Sequence, residues 1–159
     1  MASTPPGPVL RRLLRLPALL YRAGLGGLFG QRFLMLTHVG RRSGRTYRTV
    51  VEVVGRAGDE YVVMAGFGHR ADWLRNSLAG GAQEVAVGRR RFRPRVRELG
   101  EDEAVAVLAG YERRNRLAAP VVRAVLSRLV GWRYTGTADE QRRLVRELPL
   151  VALGPATGT

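Results

Sequence analysis

The sequence predicts an α+β fold, in which a closed or split antiparallel β-barrel carries flanking helices and an N-terminal amphipathic helix. Strand-like patterns dominate residues 33–98, and helical patterns occupy residues 101–147. The apolar run at 148–153 has the pattern of a last strand that returns to the sheet. A barrel of this kind removes most exposed sheet edges and leaves its mouth open to a ligand.

The first thirty residues predict a segment distinct from the barrel. Residues 8–28 alternate leucines with arginines, which is typical of a basic amphipathic helix. Such a helix can lie on an anionic membrane surface or pack its leucines on the domain. No uncharged run approaches the ~18 residues that a membrane span needs. We therefore expect a cytoplasmic protein that is either free or peripheral on the inner face of the membrane. One domain is expected at 31–154, between segment 1–30 and a tail at 155–159.

Five strands are expected in the first part of the domain, near residues 33–40, 47–55, 60–66, 83–88 and 90–98. A hairpin turn at 56–59 joins the second and third strands, and a helix near 71–78 separates the third and fourth. In the fifth strand, arginines alternate with Phe92 and Val96, and Pro94 has no N–H to donate to a ladder. This pattern indicates an edge strand whose charges keep it solvated.

Three helices are expected after these strands, at residues 101–117, 120–130 and 137–147. Tyr111 falls on the apolar face of the first helix, where it is expected either to pack in the core or to border a substrate pocket. Pro120 opens the second helix, because proline is tolerated in a first helical turn. Thr137 and Glu140 have the spacing of a capping box at the start of the third.

Composition excludes several kinds of chemistry. The chain has no cysteine and no lysine, which excludes disulfides, thiolate nucleophiles, Schiff bases and Walker-type phosphate loops. Its two histidines and scattered acids show no metal-ligand spacing, so no metal site is expected. All 27 basic residues are arginine, and the net charge is +14. The partner is therefore expected to be anionic: a nucleic acid, a membrane surface or a multiply charged cofactor.

The stretch from Gly40 to Thr49 is the most informative part of the sequence. Two glycines bracket two arginines and a serine, at an expected turn between two strands. Such a turn can aim backbone N–H groups, a hydroxyl and guanidinium groups at one anion. The pattern therefore predicts a clamp for phosphate or carboxylate groups, with a solvated basic hairpin as the alternative.

A second motif follows at a fixed distance, and the two together resemble a known family. After the Leu-Thr-x-x-Gly-Arg-Arg-Ser-Gly turn come the small-residue strand end at 65–68 and the helix Asp72-Trp73-Leu74-Arg75-Asn76. This combination resembles the deazaflavin-dependent nitroreductase family of actinobacteria, whose cofactor is coenzyme F420. The resemblance covers about residues 33–98 and implies a flavin-reductase-like split barrel, which agrees with the strand pattern.

The resemblance implies cofactor-binding positions in three groups. The basic turn and the strand after it, which would hold the cofactor's phosphate and carboxylate tail, contribute Gly40, Arg41, Arg42, Ser43, Gly44, Arg48 and Thr49. The small-residue strand end, where the backbone would approach the deazaflavin ring, contributes Ala65, Gly66, Phe67 and Gly68. The helix contributes Trp73 and Asn76, which would border the same pocket.

Three departures from the family pattern affect the substrate side more than the clamp. Leu74 stands where the family often has tyrosine, and Val50 stands where it often has proline. Tyr47 replaces a frequent arginine, and the adjacent Arg48 is expected to face the opposite side of its strand.

The implied activity is hydride transfer from reduced F420 to a quinone, enone, nitroaromatic or unsaturated lipid. Tyr47 and Tyr111 are the candidate catalytic residues, as proton donors. His38 is expected to face solvent or a barrel neighbour. His69, in the loop before the helix, is expected to be a loop residue or a donor to the ligand.

Two other readings of the sequence stay open. The same barrel could serve a non-catalytic cofactor carrier or a reductase that uses FMN instead of F420. The charge alone would also suit a sequence-independent nucleic-acid-binding protein. Against the latter, aromatic residues do not interleave with the arginines of 89–97 except at Phe92, and no helix-turn-helix or zinc pattern is present. Whether the chain is a monomer or a homodimer is left open.

Overall fold

The computed structural model describes residues 31–157 and consists of seven strands, four α-helices and short connecting turns. The strands are β1 (Phe33–Val39), β2 (Thr46–Ala57), β3 (Glu60–Met64), β4 (Ala82–Val87), β5 (Arg90–Phe92), β6 (Pro94–Glu98) and β7 (Leu150–Pro155). The helices are α1 (Asp72–Asn76), α2 (Glu101–Arg114), α3 (Ala119–Val130) and α4 (Ala138–Glu147). The expected helix at 8–28 and the N-terminal segment 1–30 lie outside the described residues.

The strands form one antiparallel sheet in the order β5-β4-β1-β2-β3-β7-β6. The sheet closes on itself because its two outer strands, β5 and β6, are consecutive and are separated only by Arg93. The first pairs with β4 and the second with β7. The prediction of a split barrel is therefore confirmed.

The predicted edge position of residues 90–98 is confirmed, because β5 and β6 lie at the two ends of the strand order, but the segment forms two strands and not one. The chain bends at Arg93, so that the two halves of this segment pair with opposite ends of the sheet. Pro94 fits here because it lies opposite Pro155 at the end of the β6–β7 ladder, where neither residue has an N–H to donate.

The arginines of this segment are exposed as expected, apart from the half-buried Arg97, but several of them form ion pairs. Arg97 donates to the buried carboxylate of Glu60 at 2.6 Å and to Glu103 at 2.8 Å. Arg95 reaches Glu60 at 3.5 Å, and Arg91 pairs with Glu84 at 2.9 Å. These ion pairs attach the closing strands to β3, α2 and β4.

The sheet is buried on both of its faces, which explains the long apolar runs in its central strands. In β3, Tyr61 and Val63 face the barrel interior, while Val62 faces the helices. The same alternation in β7 places Val151 and Leu153 inside and Leu150 outside. The interior cluster is closed by Trp73 and Leu74 of α1, among others.

Helices α2, α3 and α4 cover the outer face and form the second core with it. Leu108, Leu126 and Leu144 contribute one buried leucine from each helix. The capping box at the start of α4 is present, because Thr137 accepts from the Glu140 backbone N–H and the Glu140 carboxylate returns to Thr137. In the described part of the chain, no helix is both long and apolar enough to cross a membrane.

Candidate functional site

The turn between β1 and β2 is held by its own backbone. The Gly40 N–H donates to the Arg45 carbonyl at 2.8 Å, and the Gly44 N–H donates to the Gly40 carbonyl at 2.9 Å. Gly44 has a φ of 65°, which glycine adopts at little cost. A Cβ on Gly40 would lie 2.5 Å from Ser43 Oγ and 2.8 Å from the Tyr47 ring. Glycine at position 40 therefore lets these two hydroxyl-bearing side chains close over the turn.

The turn forms one wall of a cleft of about 510 Å³ at the mouth of the barrel. The opposite wall is α1 with the residues just before it. The lining residues are His38, Gly40, Arg41, Arg42, Ser43, Tyr47, Arg48, Thr49, Phe67, Ala71, Asp72, Trp73 and Asn76. A second cavity of about 270 Å³ adjoins the cleft and shares Gly40, Arg41 and Asn76 with it.

Arg41 ties the turn to α1 rather than pointing freely into the cleft. Its Nη1 donates to Asn76 Oδ1 at 2.8 Å and to Asp72 Oδ1 at 3.2 Å, and its backbone N–H donates to Asn76 Oδ1 at 3.1 Å. The Arg41 side chain is only 23% exposed. Its first role is therefore to fix the distance between the two walls.

Asn76 connects Arg41 to the buried His38 through hydrogen bonds. Since Asn76 Oδ1 accepts two hydrogen bonds from Arg41, its Nδ2 must be the atom that donates to His38 Nδ1 at 3.1 Å. His38 Nδ1 is then an acceptor, which places the ring hydrogen on Nε2. That Nε2–H donates to Thr49 Oγ1 at 3.1 Å and leaves the Thr49 hydroxyl hydrogen free to donate elsewhere. Burial lowers the pKa of His38, despite the opposing charge of Asp72, and so favours this neutral form.

The charges in the cleft favour an anion. Three arginines and one aspartate line it, and Asp72 already pairs with Arg41. Arg42 and Arg48 are exposed, and their side chains form no hydrogen bond or ion pair within residues 31–157. These two guanidinium groups are therefore available to a ligand.

Aromatic rings supply the apolar walls of the cleft. Tyr47 stacks on His38 with 5.8 Å between ring centroids, and its hydroxyl is hydrogen-bonded to Ser43 Oγ at 3.1 Å. Phe67 is 59% exposed, while Trp73 is nearly buried between the cleft and the barrel core. The cleft thus combines free cations with flat apolar surfaces, as the site for an aromatic anion requires.

The structure brings most of the predicted site residues to this cleft. Both Tyr47 and Arg48 line it, although strand alternation led us to expect them on opposite sides. The cleft lies across the beginning of β2, where the chain leaves the turn, so neighbouring residues both reach it. The predicted residues that line the cleft are Gly40, Arg41, Arg42, Ser43, Tyr47, Arg48, Thr49, Phe67, Trp73 and Asn76.

Four predicted cofactor-binding residues do not line the cleft. Gly44 shapes the turn behind it. Ala65 is fully buried in the barrel core, and a Cβ on Gly66 would face Leu129 of α3. A Cβ on Gly68 would lie 2.7 Å from the Glu147 carbonyl oxygen, and Gly68 has a φ of 64°. Packing and backbone conformation therefore account for Gly44, Ala65 and Gly68, whereas a Cβ would fit at Gly66 and packing does not explain that glycine.

Tyr111, a predicted catalytic residue, also lies away from the cleft. Its hydroxyl donates to Glu52 at 3.1 Å, between α2 and the outer face of β2. Burial and the Glu52 carboxylate raise the pKa of Tyr111 to about 12. Tyr111 is therefore a packing residue in this structure, and Tyr47 is the tyrosine that faces the cleft.

Three cleft residues were not predicted from the sequence: His38, Ala71 and Asp72. His38 is buried against β2 and α1, so of the two expected orientations it takes the one towards a barrel neighbour. Asp72 occupies the first turn of α1, where its carboxylate pairs with Arg41. Asp72 could have been predicted at the start of α1 from its position between a loop and a helical pattern, because acidic residues are favoured in the first turn of a helix.

The seven antiparallel strands thus form a split barrel with a basic, aromatic-walled cleft at its mouth. Residues 15–154 match the family model described as F420H2-dependent quinone reductase. The chain therefore belongs to this family and is an F420-dependent oxidoreductase. The resemblance to deazaflavin-dependent reductases is thereby confirmed.

The solved structures that the chain resembles are distant in sequence. A protein described as an F420-H2 dependent reductase (FDR-A) is 18% identical over 78% of this chain and 95% of its own, with a TM-score of 0.46. Atu2129 from Agrobacterium tumefaciens, of unknown function, is 18% identical over 87% of this chain and 55% of its own, with a TM-score of 0.48. The FAD and heme binding protein from Mycobacterium smegmatis is 18% identical over 85% and 66%, with a TM-score of 0.44. No curated protein matched the sequence.

Proposed function

We propose that this protein uses reduced F420 to reduce a quinone or a similarly electron-poor acceptor, and that the cleft between the β1–β2 turn and α1 is the active site. The observation that carries the proposal is the pair of free guanidinium groups, Arg42 and Arg48, beside three aromatic rings. Family membership supports the cofactor. Enones, nitroaromatics and unsaturated lipids are further candidate acceptors of the same electron-poor class.

The residues of the cleft fit the chemistry of this cofactor. A cavity of about 510 Å³ lies within the range of roughly 300–1,000 Å³ that is usual for ligand pockets. Arg42, Arg48 and Ser43 would hold the anionic tail, since arginine binds phosphate and carboxylate groups bidentately. Phe67, Trp73 and Tyr47 would border the ring system. When bound, the reduced deazaflavin supplies a hydride to the acceptor.

Two hydroxyl groups can supply hydrogen bonds or a proton to a reduced acceptor. Thr49 keeps its hydroxyl hydrogen free, because its oxygen accepts from His38 Nε2. Tyr47 shares a hydrogen bond with Ser43, in which one of the two hydroxyls donates and the other keeps its hydrogen free. The protein's part is thus to bind, to orient and to donate hydrogen bonds at the cleft.

A binding titration tests the site. The purified full chain is titrated with oxidised F420 and, in parallel, with FMN, while cofactor fluorescence is followed. We expect F420 to bind more tightly than FMN and the Arg42→Gln and Arg48→Gln variants each to bind F420 at least tenfold more weakly, because hydrogen bonds to charged groups contribute about 1.5–3 kcal/mol. Arg113→Gln and Arg116→Gln, which remove exposed charge outside the cleft, serve as matched controls.

Turnover is measured with the same variants. Oxidation of reduced F420 by a soluble naphthoquinone should be catalysed by the wild type and the controls and impaired in the cleft variants. Wild-type affinity in both cleft variants would refute the clamp. Tight F420 binding without turnover of any acceptor class would instead favour a carrier, and a preference for FMN would favour the flavin-dependent alternative.

A further inference from the structure

Helix α3 exposes an apolar face to solvent. Leu117, in the turn just before the helix, is 95% exposed, and Val121 and Val125 are 66% and 53% exposed. Val121 and Val125 are four apart and therefore lie on one side of the helix, and Leu117 is exposed at the turn that leads into it. Pro120 and Ala124 are exposed between them. We call Leu117, Pro120, Val121, Ala124 and Val125 the outer face of α3.

The ends of the outer face carry unpaired positive charge. Residues 113–138 contain six arginines and no acidic residue. Within residues 31–157, the exposed side chains of Arg113, Arg116, Arg128 and Arg133 form no hydrogen bond or ion pair.

The neighbouring helix α4 shows that this arrangement is not general on the surface. Its three arginines are Arg142, Arg143 and Arg146, and all three are paired. Arg142 and Arg146 both bind Glu101, and Arg143 binds Glu147. The surface around α3 therefore differs from that of α4 in having cations without counter-charges.

We propose that the outer face of α3 and its flanking arginines bind an anionic lipid surface. An exposed apolar stripe can enter the boundary between headgroups and acyl chains, while guanidinium groups at both ends contact anionic headgroups. Each arginine close to such a surface contributes about a fivefold gain in affinity. The apolar part distinguishes this surface from a purely electrostatic patch.

Other occupants of the outer face are opposed by charge. A second copy of the chain would bring basic ends against basic ends, whether the two α3 helices ran parallel or antiparallel. Residues 8–28 contain arginines and no acidic residue, so this segment would meet the same repulsion. A nucleic acid would satisfy the arginines and leave Leu117, Val121 and Val125 without apolar contacts. An anionic lipid surface offers contacts both to the arginines and to the apolar side chains.

The outer face adjoins the cleft through one further turn of α3. Leu129 follows Val125 on the same side of the helix and packs against Gly66, where a Cβ would lie 3.6 Å from Leu129 Cδ1. The next residue, Phe67, lines the cleft. Lipid binding through α3 would thus place the cleft rim close to the membrane. Binding by this face does not require that the cleft catalyse the proposed reaction.

Cosedimentation with vesicles tests the proposal without any cofactor. The full chain is mixed with vesicles of phosphatidylcholine that contain 30% phosphatidylglycerol, or with phosphatidylcholine alone. We expect binding to the anionic vesicles only, and weaker binding in 0.5 M salt. Combined Arg113→Gln, Arg116→Gln and Arg128→Gln should weaken binding about a hundredfold. Combined Leu117→Gln, Val121→Gln and Val125→Gln should weaken it at least tenfold.

The matched control removes the same charge from the β4–β5 hairpin and the bend that follows it, by Arg89→Gln, Arg91→Gln and Arg93→Gln, and should change binding less than fivefold. Unchanged thermal unfolding and F420 affinity would show that the α3 variants fold normally. Wild-type vesicle binding by the apolar variant would overturn the proposal and indicate that another segment makes the contact. Failure of the wild type to bind, or a dimer in light scattering that the apolar substitutions dissociate, would overturn it equally.

Discussion

Replacing Asn76 by aspartate changes one donor atom into an acceptor and nearly preserves the shape of the side chain. In the wild type, Asn76 Nδ2 donates to His38 Nδ1 at 3.1 Å, while Asn76 Oδ1 accepts from Arg41. In the Asn76→Asp variant, Arg41 can keep its acceptor, and a carboxylate oxygen faces the lone pair on His38 Nδ1. The histidine must then move its hydrogen to Nδ1 or bind a second proton.

Either response has a cost at neutral pH. Moving the hydrogen to Nδ1 makes Nε2 an acceptor, so the Thr49 hydroxyl must turn to donate to it and can no longer donate into the cleft. His38 and Asn76 are each only 3% exposed, so the variant buries a new negative charge, which is costly even beside Arg41. We expect the free energy of unfolding to fall by about 2 kcal/mol at pH 7.5. For a chain of this size, that corresponds to a Tm lower by about 4–8 °C.

The loss should shrink in acid. In the wild type, burial lowers the pKa of His38 below its ordinary value of 6.5, so its contribution to stability is complete above pH 6.5 and is lost as pH falls through the lowered pKa. In the Asn76→Asp variant, the added carboxylate should raise the pKa of His38 relative to the wild type. Protonation of His38 in acid then costs the variant less stability than it costs the wild type. The difference in Tm between the two proteins should therefore narrow from pH 8 to pH 5.5.

Nitrogen NMR of the histidine rings measures the cause directly, because the chain has only two histidines. Wild-type His38 should show hydrogen on Nε2 alone, and the variant should show hydrogen on Nδ1. Gln83→Glu adds the same charge at an exposed position on β4 and controls for net charge. A wild-type hydrogen on Nδ1, or Tm profiles that run parallel over pH, would refute the assignment of donors and acceptors.

Three further predictions concern the cleft and the barrel closure. Asp72→Asn keeps an acceptor for Arg41 and removes the acid from the cleft, so the Kd for F420 should fall about two- to fivefold at low salt. An unchanged Kd at low salt would count against an anionic ligand. Gly40→Ala forces a Cβ to within 2.5 Å of Ser43 Oγ and should lower the free energy of unfolding, measured by chemical denaturation, by about 1–3 kcal/mol. Gly100→Ala, which adds a Cβ in open space, should lower it by less than about 0.5 kcal/mol. Glu60→Gln should cost about 1–2 kcal/mol at pH 7, because the half-exposed Arg97 loses a buried partner. Since hydrogen bonds from Arg97 lower the pKa of Glu60, this cost should disappear as pH falls through that lowered pKa, and a loss independent of pH would contradict the ion pair.

Local patterns were sufficient to predict most of the elements. The expected strands at 33–40 and 60–66 correspond to β1 and β3, and the capping box at Thr137 marks the start of α4. Alternation and caps depend on residues that are close in sequence, so they can be read from it. The division of residues 90–98 into β5 and β6 could not be read in this way, because it depends on pairing with β4 on one side of the bend and with the distant β7 on the other.

The glycines show a different limit of sequence reasoning. Gly68 was expected at the cofactor, and in the structure a Cβ on it would lie 2.7 Å from the Glu147 carbonyl oxygen. Close packing and close approach to a ligand both favour a residue without a side chain, so the residue type alone does not distinguish them. The packing at Gly68 depends on the position of the end of α4, which the local sequence does not show.

The two arginines of the turn show the same limit within the site. Arg41 and Arg42 are adjacent and chemically identical, and the sequence assigned both to the clamp. Their roles separate because α1 lies beside the turn: Asn76 and Asp72 take hydrogen bonds from Arg41, and Arg42 is left free. Arg41→Gln should therefore disturb the buried His38 and lower the Tm, whereas Arg42→Gln should weaken anion binding and leave the Tm unchanged. If the two substitutions changed the Tm and the affinity for the anion equally, the two arginines would have the same role. The assignment of Arg41 to holding the turn against α1 and of Arg42 to anion binding would then be wrong.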